Sequence, residues 1–173
     1  VNQLRSLDTS TGAALVDLIE KAQSAQSNRF VLLVGSKGAG KSTFVHRFFN
    51  VTLPRNTSES CVLIHVNLAK SEGDERKIVD WLNDNLLLAA EQAAYDGKQI
   101  DWDDYVGAMF FSEYQRWSTG TMKPLYESDK SKVKQECARY IEEVRSKKPN
   151  EFIKKIIHYV VASRKKLPCI VFD

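Results

Sequence analysis

Nine consecutive residues carry the most specific chemistry in the chain: Gly35, Ser36, Lys37, Gly38, Ala39, Gly40, Lys41, Ser42 and Thr43. They fit the pattern G-x-x-x-x-G-K-[ST] at every fixed position. Each residue type has a physical task in holding a phosphate chain. Gly35, Gly38 and Gly40 allow backbone conformations closed to other residues and bring N–H groups close to an anion. A helix opening at Lys41 would aim its unsatisfied N–H groups and positive dipole end at the same place. The Lys41 ammonium suits β- and γ-phosphates as a mobile point charge. The Ser42 hydroxyl suits Mg²⁺, a hard cation that takes oxygen ligands. Lys37 reads as an exposed loop residue that adjusts phosphate contact rather than one that catalyses.

Such a loop calls for a second magnesium contact, usually a carboxylate at the end of a nearby strand. The run Leu167-Pro168-Cys169-Ile170-Val171-Phe172 followed by Asp173 has that form. In an open parallel sheet the C-terminal strand edge is where ligands bind. Lys41 and Asp173 are therefore the candidate catalytic pair, and Ser42 with Asp173 the candidate Mg²⁺ ligands. The three histidines, His46, His65 and His158, have no spacing that suggests a metal site and read as packing or surface residues. Glu72, Asp74, Glu75, Asp101, Asp103 and Asp104 fall near expected helix starts, where carboxylates complement the dipole. The aromatic-rich stretch from Trp102 to Tyr126 reads as a small core of its own in preference to a partner-binding surface.

These residues must be positioned by the rest of the chain. Residues 8–22 carry helical periodicity, with Asp8, Thr9 and Ser10 as candidate caps. Phe30 to Val34 is an apolar run without alternation, the pattern of a strand buried on both faces. Lys41 to Asn50 reads as a helix with Phe44, Val45, Phe48 and Phe49 on one stripe. Pro54 to Ser60 reads as a loop, and Cys61 to Val66 as a second buried strand. Four helices follow, marked by stripes through Ile78, Trp81 and Leu82, through Val106, Met109, Phe110 and Trp117, through Val133, Cys137 and Ile141, and through Phe152, Ile156 and Val160. Leu167 to Phe172 forms the third strand. Strand, helix, strand, helices, strand is the order of a parallel α/β sheet. The expected fold is thus a partial three-layer α/β/α core with a large helical insertion, residues 70–150, before the last strand.

Composition agrees with a folded domain. Of 173 residues, 43% are hydrophobic and 27% charged, which excludes a disordered or collagen-like chain. The net charge of +3 is too small to mark a nucleic-acid binder. Residues 127–166 hold 12 basic and 6 acidic side chains, read here as a solvated helical face. No apolar run is long enough to span a bilayer. Three cysteines without C-x-x-C spacing suit buried thiols in a reducing compartment, so a cytoplasmic setting is expected.

The nine-residue loop and the closing Cys169-Ile170-Val171-Phe172-Asp173 together resemble the Walker A and Walker B signatures of P-loop NTPases. The wording FVLLVGSKGAGKST, followed much later by LPCIVFD, is most similar to AAA-like and STAND signal-transduction ATPases. That resemblance implies ATP and Mg²⁺ as ligands, with Gly40, Lys41 and Ser42 on the phosphates and metal, and Asp173 on the metal through water. It implies a switch protein of signalling or defence type whose hydrolysis drives a conformational or assembly change. It also implies an acidic residue, sensor and arginine finger beyond Asp173, and a strand between the loop strand and the Asp173 strand. Residues 1–173 are accordingly expected to be the N-terminal part of one P-loop NTPase domain, partnered by the rest of its own chain or by self-association. A small-molecule or nucleotide kinase uses the same loop. A nucleotide-binding interaction module without turnover is the third reading.

Overall fold

A computed structural model describes residues 2–25, 27–71, 77–95, 103 and 105–173. In chain order, α1 (Asn2–Ala25) leads through the loop to α2 (Lys41–Arg47), which continues as a π-helical turn at Phe48–Thr52. Then come α3 (Arg55–Glu59), β1 (Cys61–Val66), a 3₁₀ turn at Leu68–Lys70 and α4 (Ile78–Tyr95). A second π-helical turn at Tyr105–Met109 precedes α5 (Phe111–Thr119) and α6 (Lys123–Ser128). The chain closes with α7 (Lys130–Lys147), α8 (Pro149–Ala162) and β2 (Leu167–Phe172).

The expected three-layer α/β/α core is not what the chain forms. The structure is 71% helical and has two short strands, paired parallel in a single sheet among the described residues. Cys61 pairs with Leu167 and Val66 with Phe172 at the two ends of the ladder. The apolar run Phe30 to Val34 is not a strand. Strands exist only through ladder partners, and β1 and β2 form their ladder with each other. Phe30, Leu32 and Val34 are instead 89, 72 and 85% exposed.

β1 is buried on one face rather than two. Val62, Ile64 and Val66 are buried, whereas Leu63 and His65 are exposed. This is the period-two alternation of a half-covered strand. Helices cover the buried face. Leu87, Ala90 and Ala94 of α4 recur at helical spacing, as do Val133, Cys137, Ile141 and Val144 of α7. Of these, Leu87, Ala90, Ala94, Cys137, Ile141 and Val144 form one core with Phe110, with Phe152, Ile153, Ile156 and Val160 of α8, and with Val62 and Ile64. A fully buried Phe or Ile contributes roughly 1.5–3 kcal/mol. The helices between the strands are therefore not an insertion with a separate core, but the body to which the sheet is attached. The aromatic stretch joins that body: Phe110 lies 5.8 Å from Phe152 and Trp117 4.8 Å from Tyr140, centroid to centroid.

Polar contacts fix the helices at their ends and crossings. The Asp129 carboxylate accepts from the N–H groups of Ser131 and Lys132 and caps α7. Pro149 occupies the first turn of α8, where its missing N–H costs nothing. Arg145 of α7 donates two bonds of 2.9 Å to Glu91 of α4. Lys155 of α8 donates to Glu113 of α5 at 2.7 Å and to the Met109 carbonyl at 3.0 Å.

Several local expectations are also revised. The first helix reaches back to Asn2, so Asp8, Thr9 and Ser10 stand within it. Residues 55–59 form α3 rather than a loop, with Thr57 buried and its hydroxyl donating to Glu20 of α1. The stripe through Val106 and Trp117 is divided at Phe110 into a π-helical turn and α5. Glu72, Asp74, Glu75, Asp101, Trp102 and Asp104 lie outside the described residues. No helix among the described residues is long and apolar enough to cross a membrane.

Candidate functional site

The glycine-rich loop runs from Gly35 to the start of α2, whose Ser42 reaches the residue that follows β2. Gly38 and Gly40 both have φ of +81°, the left-handed region that favours glycine. A Cβ at either position would meet nothing within 4 Å, so backbone conformation rather than crowding requires glycine there. The turn is closed by the Ala39 N–H donating to the Ser36 carbonyl at 3.2 Å. Gly40 precedes α2 without any side-chain cap, which leaves the first-turn N–H groups of that helix without protein acceptors of the usual kind. Lys41 arches back over the loop. Its ammonium donates to the carbonyls of Gly35 at 2.9 Å and Ser36 at 3.0 Å. Ser36, Lys37, Gly38, Ala39, Ser42 and Thr43 are exposed.

The second half of the site arrives on β2. The Asp173 N–H donates to the Val66 carbonyl at 3.0 Å, and its own carbonyl accepts from the Leu68 N–H at 2.5 Å. These bonds carry the ladder one residue past β2 and hold the Asp173 backbone at the strand end. The 3₁₀ turn that supplies Leu68 is itself capped by Asn67, whose side chain accepts from the Ala69 N–H. From this position Asp173 reaches the loop: Ser42 Oγ donates to Asp173 Oδ1 at 2.8 Å across 131 residues of sequence. Ser42 and Asp173, the two residues assigned to Mg²⁺ from the sequence, thus stand in direct contact.

One further residue enters the site that sequence reasoning assigned to packing or surface. His65 Nε2 lies 3.8 Å from Asp173 Oδ2. The parallel register pairs His65 with Val171, two residues before Asp173, so their side chains share one face of the sheet. Strand pairing alone could have placed His65 here, but no local spacing in the sequence shows which strands pair. His46 and His158 are exposed on α2 and α8.

The donor set suits a hydrated hard cation better than a protein-caged one. Ser42 and Asp173 provide a hydroxyl and a carboxylate, and no group of three or more His, Cys, Asp or Glu side chains that could hold a metal occurs among the described residues. Mg²⁺ is commonly held by one or two protein oxygens together with waters and phosphate oxygens. The site therefore fits a metal that arrives with a polyphosphate. Comparison with known proteins adds no relative: no protein-family model matches the chain, and neither a curated protein nor a solved structure matches it significantly.

Proposed function

We propose that the chain is a Mg²⁺-dependent ATP-binding module that hydrolyses the bound nucleotide and switches state with it, as the resemblance to STAND and AAA-like ATPases implies. The observation that carries this reading is the 2.8 Å bond between Ser42 and Asp173. Two motifs far apart in sequence are chemically complementary, and Ser42 of one lies within hydrogen-bond distance of Asp173 of the other.

The residues divide the work by charge. The loop N–H groups and the Lys41 ammonium would bind the phosphate chain, with Lys41 exchanging its two loop carbonyls for phosphate oxygens. Ser42 and Asp173 would hold Mg²⁺, which on binding neutralises phosphate charge. Positioning and charge stabilisation are the main contributions to phosphoryl transfer, so these side chains supply what hydrolysis chiefly needs. Lys41→Ala is expected to weaken ATP binding about 100-fold, some 3 kcal/mol, as measured by titration calorimetry with Mg²⁺ present. Asp173→Asn should keep metal-free binding and lose the gain that Mg²⁺ provides. Unchanged affinity in Lys41→Ala would overturn the site.

A further inference from the structure

The face of the sheet that carries Leu63 and His65 holds a second chemical feature, unrelated to the phosphate loop. Cys61 opens β1 and Cys169 lies inside β2; both are free thiols and both are partly accessible. The ladder pairs Cys61 with Leu167 and Leu63 with Cys169. Residues two apart on a strand share a face, so the two cysteines are diagonal neighbours on the same side of adjacent strands. The two thiols act on each other: Cys169 is the largest influence on the Cys61 thiol and favours its thiolate. Gln23 of α1 adds a donor from the other side, its Nε2 lying 3.6 Å from Cys61 Sγ. The same amide donates to Ser60 Oγ at 2.6 Å, which fixes its direction.

These surroundings make the two thiols unequal. The Cys169 thiol, then the Gln23 amide and the charge of Lys166, hold Cys61 below the usual thiol range against the opposing effect of burial. Cys169 moves the other way, because the Cys61 thiol and its own burial both favour the protonated form. One sulfur is thus prepared as a nucleophile and the adjacent one as a proton-bearing partner. Thiolate character and access together decide which cysteines are oxidised. Cys137 has neither, being fully buried in the helical body.

We infer that Cys61 and Cys169 form a peroxide-sensitive modification site in which Cys61 reacts first and Cys169 resolves it. The Cys61 thiolate attacks one oxygen of hydrogen peroxide and the O–O bond breaks. The departing hydroxide takes a proton to become water, and Cys61 is left as a sulfenic acid. The Cys169 sulfur then attacks the Cys61 sulfur, the S–O bond breaks, and the hydroxyl leaves as water with the Cys169 proton. In total the two thiols lose two electrons and two protons, and one peroxide becomes two waters. The product is a disulfide between β1 and β2, the strands whose far ends carry His65 and Asp173.

The test uses the intact chain and does not depend on nucleotide binding. After brief peroxide treatment, remaining thiols are blocked with N-ethylmaleimide and the protein is mapped by non-reducing peptide mass spectrometry. The expected product is a Cys61–Cys169 linked peptide that dithiothreitol separates, with Cys137 modified at least tenfold more slowly. Cys169→Ser should stop at the sulfenic acid, so that dimedone labels Cys61. Wild-type mapping needs no variant and stands even if that substitution harms folding. The inference is overturned if Cys137 reacts as fast as Cys61, if the wild type accumulates sulfenic acid without the link, or if the disulfide joins two separate chains.

Discussion

The two faces of β1 belong to different physical regimes. On one, Val62, Ile64 and Val66 are buried, and Val62 and Ile64 belong to the core that also holds Phe110, Phe152 and Ile156. On the other, Leu63 and His65 are exposed, His65 lies 3.8 Å from Asp173, and the cysteine pair is partly accessible. The first face draws its stability from apolar area removed from water. The second draws little from that source, and its groups keep the access that binding and reaction require. Regions that must accept ligands come from the less stable end of a fold. The three cysteines report the same contrast, since burial pushes Cys137 up to about 11 whereas Cys169 and Gln23 hold Cys61 low.

The largest expected difference comes from truncating the buried side. Phe152 is fully buried, packed 5.8 Å from Phe110 between centroids. Phe152→Ala should destabilise the chain by about 3–5 kcal/mol through lost transfer energy and the cavity left behind. Urea unfolding followed by circular dichroism measures it. A cost below about 1 kcal/mol would mean that the helical body is not the stabilising unit.

The next effect appears with pH. Cys137 is raised from 9.0 to about 11 in the folded chain, chiefly by burial and then by the charge of Glu113. A raised folded value means that the unfolded chain releases this proton first. The contribution to stability is therefore complete below pH 9.0 and is lost as pH rises through about 11. The loss is of order 2–3 kcal/mol for such a shift. Other groups titrate in this range, so the check is a comparison: the fall in unfolding free energy between pH 8 and pH 11 should be smaller in Cys137→Ala than in the wild type. Equal slopes would remove Cys137 as the cause.

What the sequence reveals of this molecule follows the same division. The helical stripes were legible because burial imposes a 3.6-residue period, and Val133, Cys137, Ile141 and Val144 have it. β1 and β2 were legible as compact β-branched runs bounded by polar residues. The loop was legible because few residue types tolerate its backbone, as the positive φ of Gly38 and Gly40 illustrates. Pairing was not legible. Phe30 to Val34 has the composition of a strand, yet composition supplies no ladder partner, and the segment joins no ladder. For the same reason the position of His65 next to Asp173 could not be read locally, since it depends on the β1–β2 register. The separate insertion core was misjudged because periodicity tells which residues are buried, not against which neighbours.

The smallest expected effect tests the exposed side directly. Leu32 is 72% exposed, so most of its apolar surface is already in water in the folded chain. Replacing it with serine removes little transfer energy and leaves no cavity, because there is no tight packing to vacate. Leu32→Ser should therefore change unfolding free energy by no more than about 0.5 kcal/mol in urea titration. The residue is as apolar as any in the helical core, which makes the result a measure of surroundings rather than of residue type. A loss of 2 kcal/mol or more would show that residues 30–34 are packed in solution. The exposed run would then have to be counted with the core.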